Sequence, residues 1–351
     1  MFGWLLRQLR GGGRKQSRSA NAFSGARLSA RHEAFFAKSN GKGEDESFLE
    51  RLTREVGELQ TLSPDEQQLT SELVERVARH VRTHKVEPPV MPALASRMLD
   101  LLRQPEVDVQ ALARLIERDQ ATAGRLLSIA NSALFRGARE IESVRDAIVF
   151  LGTEQVAQIA IGLATRTLFQ GNGRAPGAAG DDLWPRLFLH AMTTAFTACQ
   201  LATQRNRRHS DAAFLGGLFH DVGKAVALRA LSEVASADAV GPLRPEVIDA
   251  ALRMLHSDPT AVLYDSWKLP QQLITMCRHH HVLDGESTPE LHFVRLVSAL
   301  DVLRVGSDVD KREALDEVAE SAAALKLSDP ELRVAQTETR EYGERVAAMF
   351  G

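Results

Sequence analysis

Cysteine is rare in this chain of 351 residues, and long apolar runs are missing from it. The two cysteines, Cys199 and Cys277, have no CxxC partner, so the sequence indicates neither a disulfide framework nor a cysteine zinc site. No apolar run approaches the roughly 18 residues that a membrane span requires, and Arg7 interrupts the apolar start too early for the core of a signal peptide. These absences predict a soluble protein of the reducing cytoplasm.

Aromatic residues are also scarce, at 5% of the chain, whereas Leu, Ala, Arg and Glu dominate. These four residue types favour helices because they lose little side-chain freedom there. The sequence contains no run of alternating apolar and polar residues of the kind that predicts a strand. With 44% hydrophobic residues the chain can bury a sizeable core, and an all-α fold is expected.

The charge is distributed unevenly along the chain. Residues 1–43 carry a charge of +8, which leaves −11 for the remainder of a chain whose net charge is −3. Residues 1–45 have too little apolar surface to offset the entropy of ordering, so we predict a disordered basic tail. Its first residues could contact an anionic membrane weakly, although a solvated tail is the simpler interpretation. Specific nucleic-acid binding is not expected, because the core lacks interleaved basic and aromatic residues.

Apolar spacing and proline divide the rest of the chain. Residues 46–86 have apolar positions three and four apart and are predicted to form a helical lead-in, with Ser63 and Pro64 starting its second helix. The prolines of residues 87–92 push their predecessors into extended conformations, so the main domain begins there. The breaker-rich residues 170–180 are expected to divide this domain into two helical lobes.

An adjacent imidazole and carboxylate, His220 and Asp221, stand at the end of an apolar helical segment. One helical turn can present both groups to a single metal ion, so the pair raises the hypothesis of a metallophosphohydrolase site. Lys224 follows three residues later and could neutralise phosphate charge. A His-Asp dipeptide also occurs by chance, and the alternative is a hydrogen-bonded pair that only holds two helices together.

Three segments upstream resemble the HDOD (HD-related output domain) family. They are Met91-Pro-Ala-Leu94, residues 115–135 (LIERDQATAGRLLSIANSALF) and residues 141–152 (IESVRDAIVFLG). The resemblance extends over residues 87–289 and implies a two-lobed, all-helical bundle whose second lobe is similar to HD phosphohydrolases. It also implies a bacterial signalling protein, in a family of which many members act as non-catalytic output modules. Residues 290–351 would then be a C-terminal helical extension, serving as a packing or dimer element.

The resemblance to HD proteins implies a set of metal ligands on several helices. One divalent ion, Mg, Mn, Fe or Zn, would be held by His190, His220, Asp221 and Asp301. The related HD-GYP phosphodiesterases bind a second metal, for which His256, His279 and His280 fall in the matching order. This chain departs from that class at two places, since His281 replaces a glutamate and Glu-Ser-Thr-Pro at 286–289 replaces the Gly-Tyr-Pro signature. Hydrolysis of cyclic dinucleotides is therefore not expected.

Each candidate ligand also has a structural interpretation that the sequence leaves open. His190 could be a core histidine bonded to a carboxylate or to a backbone carbonyl, and an arginine would serve Asp301 as well as a metal does. At most two of His279 to His281 can face one site, because neighbours on a helix differ by about 100°. His256 would mostly contribute packing or a helix cap, and His209 and His292 are assigned to the surface.

The function predicted from the sequence is that of a regulatory module that binds a signalling protein partner and has no catalytic residue of its own. The alternative is a metal-dependent phosphohydrolase that acts on a nucleotide or another phosphoester. The sequence specifies neither the partner nor the oligomeric state.

Overall fold

The computed structural model describes residues 46–59, 61–84, 89–102, 107–135, 140–171, 180–237, 243–256, 267, 269–281, 283 and 287–351. The predicted basic tail of residues 1–45, with its proposed membrane contact, lies outside these residues. So does most of the predicted loop at residues 170–180.

The described residues form fifteen α-helices and no strand, which confirms the predicted all-α class. In chain order the helices are α1 (Phe48–Val56), α2 (Pro64–His84), α3 (Ala93–Leu102), α4 (Val109–Glu117), α5 (Gln120–Ala130), α6 (Val144–Leu151), α7 (Thr153–Thr165), α8 (Gly180–Asn206), α9 (Ser210–Phe219), α10 (Val222–Ala237), α11 (Pro245–Leu255), α12 (Gln271–His279), α13 (Pro289–Val305), α14 (Asp308–Leu325) and α15 (Asp329–Phe350). Short 3₁₀ helices follow α7 at Arg166–Phe169 and α8 at Arg207–His209.

The helices separate into two compact units. The first contains α3 to α7, and the second contains α1 and α2 together with α8 to α15. The helical lead-in and the C-terminal extension thus both belong to the second unit. Among the described residues, no helix combines the length and the apolar character that crossing a bilayer requires.

In the first unit, short polar side chains close the turns between helices. Asp108, Asp119 and Ser143 cap the amino ends of α4, α5 and α6 by accepting hydrogen bonds from backbone amides. Asn131 donates to the carbonyl oxygens of Leu127 and Ile141 and accepts from the amide of Ile141 at 2.8 Å. These bonds satisfy the backbone around the turn after α5.

In the second unit, the lead-in and the C-terminal helices share one apolar core with α8 and α13. Phe48 and Leu52 of α1 belong to the same buried cluster as residues of α8 and α13, Val318 of α14 and Leu332 of α15. The amide of Phe48 donates to Asp329 Oδ2 at 2.7 Å, so α1 is tied to the start of α15. The helix α2 starts at Pro64 after the Ser63 cap, as the sequence predicted, and Glu66 completes the cap by accepting from the amide of Ser63.

The central contact of this unit lies between α8 and α9. A Cβ atom at Gly217 would stand 2.6 Å from the Cα and N atoms of Ala195, so only glycine allows the two backbones to approach this closely. The contact fixes the end of α9, where His220 and Asp221 follow, against α8, which carries His190.

Two histidines assigned to the surface are buried instead. His209 bonds through Nδ1 to Glu290, and His292 bonds through Nε2 to Ser287. The prediction was wrong because these polar partners, which satisfy the rings in the interior, come from a different helix or from the loop before α13.

Candidate metal centre

His220 and Asp221 lie between α9 and α10 and are almost completely buried, with 0% and 1% of their surface exposed. His220 Nδ1 lies 2.8 Å from the carbonyl oxygen of Gly217. Because a carbonyl only accepts, Nδ1 carries the proton and Nε2 presents its lone pair. The carbonyl oxygen of Gly217 therefore fixes the tautomer of this buried imidazole.

His190 of α8 is oriented by Asp301 of α13. His190 Nδ1 donates to Asp301 Oδ2 at 2.8 Å, and Arg304 donates to Asp301 Oδ1 through Nε at 3.0 Å and through a terminal guanidinium nitrogen at 2.6 Å. Both carboxylate oxygens of Asp301 thus accept hydrogen bonds. Asp301 thus lies behind His190 and is paired with Arg304. An arginine partner is the alternative to a metal that the sequence left open for Asp301.

Three ligand atoms from His190, His220 and Asp221 form a first group. The two imidazole Nε2 atoms lie 3.3 Å apart, and they lie 3.5 and 3.4 Å from Asp221 Oδ2. Ligands on a tetrahedral ion with bonds of about 2.1 Å are separated by about 3.4 Å, so the spacing fits one ion. Ser298 Oγ lies 3.3 Å from His190 Nε2 and 3.2 Å from His220 Nε2, as a further oxygen beside the group.

Asp221 is shared with a second group formed with His256, His280 and His281. Their ligand atoms all lie within 4.8 Å of one another, and His280 Nε2 lies 3.3 Å from Asp221 Oδ1. The two oxygens of one carboxylate therefore face two sets of imidazoles. The second group draws its residues from the ends of α9, α11 and α12.

The five imidazoles of the two groups are held in the same way, each through Nδ1 to an oxygen acceptor. The acceptors are Asp301 for His190, the carbonyl oxygen of Gly217 for His220, that of Arg253 for His256, that of Cys277 for His280, and Glu317 for His281. In a neutral ring, a proton held at Nδ1 by such a bond leaves the lone pair of Nε2 available for a metal. Orientation by a hydrogen bond at the second ring nitrogen is the usual arrangement around metal-ligating histidines.

Three buried ligand atoms accept or donate no hydrogen bond among the described residues. They are Asp221 Oδ1, His280 Nε2 and His281 Nε2, which all belong to the second group. A buried polar atom without a partner costs about 1–3 kcal/mol. An ion in the second group would contact all three, so these residues fit a divalent metal.

The protonation states also suit metal binding. Burial lowers the pKa of His220 and His281 well below its ordinary value, and burial together with His280 and Lys224 lowers the pKa of His256 to about 3. These rings are neutral near pH 7. Burial alone would raise the pKa of Asp221, but the ammonium group of Lys224 is the largest opposing influence and the pKa lies well below its usual range, so the carboxylate is ionised.

A pocket opens beside the first group. Its lining includes His190, Asp221 and Lys224, the charged residues Arg186, Asp249 and Asp310, and the apolar residues Leu187, Leu252, Val302 and Val305. Lys224 Nζ donates to Asp221 Oδ2 at 2.8 Å, and Arg186 pairs with Asp249. Both cations of the pocket are therefore already bonded to carboxylates.

The structure brings most of the sequence-predicted ligands together. His190, His220 and Asp221 form the first group, His256 and His280 join the second, and Lys224 contacts Asp221. His279, the last residue of α12, lies in neither group. The sequence did not suggest His281, Ser298, Arg304 or Glu317 as residues of the site. Arg304 could have been found, because residues three apart on a helix, such as Asp301 and Arg304, lie close enough to pair.

The model of the HDOD domain matches residues 89–283 of the chain. A Treponema pallidum (strain Nichols) protein of uncharacterised function is 27% identical over 202 residues, which are 55% of this chain and only 38% of that relative. An HDOD domain protein of Geobacter sulfurreducens has a similar structure with a TM-score of 0.58 and 18% identity, over 79% of this chain and 98% of that one.

Two further solved structures share the fold. A candidate metal-dependent phosphohydrolase of Shewanella amazonensis SB2B gives a TM-score of 0.51 and 20% identity, over 79% of this chain and 100% of that one. A candidate signal transduction protein of Marinobacter aquaeolei VT8 gives a TM-score of 0.53 and 18% identity, over 79% of this chain and 66% of that one. At these identities the likeness establishes the fold alone.

Proposed function

The chain belongs to the HDOD family, and on that premise we propose that it is a cytoplasmic bacterial signalling protein that acts through protein interactions and holds a divalent metal in its second unit. The signalling role is supported by the family and by the solved protein of similar fold that is described as a candidate in signal transduction. The metal is supported by the residues of the chain itself.

The observation that carries this proposal is the enclosure of the second group. It offers four ligands, of which Asp221 and His280 are 1% exposed, His256 is 3% exposed, and the side chain of His281 is 17% exposed. Structural metal sites are closed and four-coordinate, whereas catalytic sites keep a position open for water or substrate. Three imidazoles with one carboxylate suit Zn, Fe or Mn better than Mg. An ion held there would stabilise the helical unit that an interaction module needs.

A second candidate function, metal-dependent phosphoester hydrolysis, is favoured by the pocket beside the first group. A divalent ion would supply Lewis-acid activation of water there. Lys224 and Arg186 could contact phosphate, but Asp221 and Asp249 already neutralise them, and Asp310 adds a further acid to the lining. This charge balance favours an anionic substrate weakly, which is why we place hydrolysis second.

The experiment that tests the proposal is the metal content of protein purified without chelator, measured by mass spectrometry. We expect near-stoichiometric metal in the wild-type chain and its loss from a folded His220→Ala/Asp221→Ala double variant. His80→Ala is the matched control, because His80 pairs with Glu233 away from both groups. No metal in the wild-type protein, even after incubation with Zn, Fe or Mn, would contradict the metal centre.

The choice between interaction module and hydrolase needs a separate assay. We expect the metal-loaded protein to turn over neither cyclic dinucleotides nor simple phosphoesters. Robust hydrolysis that His220→Ala abolishes and His80→Ala retains would overturn the non-catalytic proposal and establish the second candidate.

A further inference from the structure

A helix outside the family match holds one ligand of the second group. Glu317 lies on α14, whereas the HDOD match ends at residue 283. Its Oε1 atom accepts a hydrogen bond from His281 Nδ1 at 2.6 Å, and the residue is 5% exposed. A buried carboxyl group thus stands directly behind an imidazole whose other nitrogen, Nε2, has no hydrogen-bond partner among the described residues.

Arg253 connects the same helix to a second ligand. Its guanidinium lies 3.8 Å from Glu317 Oε1 and 3.0 Å from Asp310 Oδ1, both on α14. Its backbone carbonyl oxygen accepts from His256 Nδ1 at 2.7 Å. The side chain of Arg253 therefore contacts the acids of α14, while its backbone orients His256.

The position of His281 is also fixed from its backbone. Arg295 of α13 donates to the carbonyl oxygen of His281 at 3.2 Å and pairs with Glu320 of α14 at 2.5 Å. His281 is thus held at its ring by Glu317 and at its carbonyl by a residue that is itself paired with α14. Contacts of this kind reach the ligand only if α14 occupies its place beside α13.

We propose that Glu317 is a positioning residue of the metal centre, which orients His281 through Nδ1, and that α14 is part of the centre although it lies beyond the family match. The inference rests on the proposed metal binding. A carboxylate behind a histidine ligand fixes the ring orientation and raises the basicity of the coordinating nitrogen. If α14 were only a packing element, Glu317 would serve merely as an ion-pair partner of Arg253.

The test uses the full chain, stripped of metal and titrated with Co²⁺ in competition with a chromophoric chelator. Loss of such an outer partner weakens metal binding about 10- to 100-fold. We expect Glu317→Ala to weaken Co²⁺ binding by this factor at the second group only, so that one step of the titration shifts. The visible absorption of the Co²⁺ bound there should also change. Glu317→Gln should lose less, because its amide oxygen still accepts from Nδ1. Asp316→Asn is the control, since it removes an exposed acid from the adjacent position on α14.

The outcomes separate this inference from the proposed function. If the wild-type chain binds no Co²⁺ or Zn²⁺, the metal centre itself fails, and the role of Glu317 fails with it. If the wild-type chain binds Co²⁺ and Glu317→Ala changes neither affinity nor absorption, only the positioning role is overturned. Should Glu317→Ala not fold, Glu317→Gln decides, because an affinity and a spectrum equal to those of the wild type would contradict the inference.

Discussion

The Nζ atom of Lys224 lies 2.8 Å from Asp221 Oδ2, the same oxygen that lies 3.5 Å from His190 Nε2 and 3.4 Å from His220 Nε2. The ammonium group therefore bonds to the carboxylate atom that an ion in the first group would use. Without metal, Lys224 neutralises a buried charge. With metal, it competes for the oxygen and repels the cation.

Substitution of this lysine should affect the two states in opposite directions. In Lys224→Met we expect the metal-free protein to lose about 3 kcal/mol of unfolding free energy, because a buried carboxylate loses its partner. We expect metal binding to tighten and the rise in melting temperature on adding Zn²⁺ to exceed that of the wild type. Thermal unfolding with and without metal measures both effects. Lys311→Met, which removes a more exposed lysine paired with Asp308 at 3.4 Å, should change neither.

The approach of α9 to α8 gives a second prediction. A Cβ atom at position 217 would meet the backbone of Ala195 at 2.6 Å, which cannot move aside as a side chain can. We expect Gly217→Ala to cost about 1–3 kcal/mol of unfolding free energy and to weaken metal binding, because His220 moves with α9.

Gly124→Ala is the matched control, since no atom lies within 4 Å of its added Cβ and the position is helical. That control should stabilise the chain slightly, by about 0.5–1 kcal/mol. Equal effects of the two substitutions would show that the contact does not matter.

The helices and the central ligands could be predicted from the sequence because their signals are local or carried by the family resemblance. Ser63 before Pro64 marked the start of α2, and the end of an apolar helix placed His220 beside Asp221. The choice among the three successive histidines was not predictable. It depends on where α12 ends, since His280 caps the helix and His281 lies beyond it.

The outer contacts of the site were not predictable either. Glu317 meets His281 across 36 residues of sequence, and neither residue type nor spacing marks such a pair. Asp301 is an intermediate case, because both a metal and an arginine could have satisfied its charge. Only the positions of His190 and Arg304 around it show that its two oxygens are already bonded.

This arrangement of Asp301 predicts that it orients a ligand without being one. We expect Asp301→Asn to weaken metal binding about 10- to 100-fold, because His190 loses a charged acceptor at Nδ1 but keeps Nε2. Asp221→Ala should abolish binding at both groups, since it removes an oxygen from each. Metal affinities of the two variants, measured by the same competition titration, test the difference. Equal losses of metal affinity in the two variants would indicate that Asp301 binds the metal directly, as Asp221 does.

The final prediction concerns Glu338 on α15, far in sequence from the metal ligands. Its Oε1 atom accepts from Gln204 Nε2 at 2.8 Å, and burial raises its pKa from 4.5 to about 7, with Glu341 adding to the shift and Gln204 and Arg345 opposing it. The buried phenol of Tyr342 is a further ionisable group beside it. The folded state therefore keeps a proton that the unfolded state releases between about pH 4.5 and pH 7.

Because the folded state binds more protons in this window, stability falls as the pH rises through it, by roughly 3 kcal/mol at most from this one group. Glu338→Gln keeps the acceptor for Gln204 without the charge, so the variant should gain stability relative to the wild type as the pH rises from 4.5 to 8. Urea unfolding at both pH values measures this difference. Glu344→Gln, at an exposed position of α15, should leave the pH dependence of the wild type unchanged. A Glu338→Gln variant that follows the wild-type curve at both pH values would mean that the carboxyl group ionises in the folded protein as it does in water.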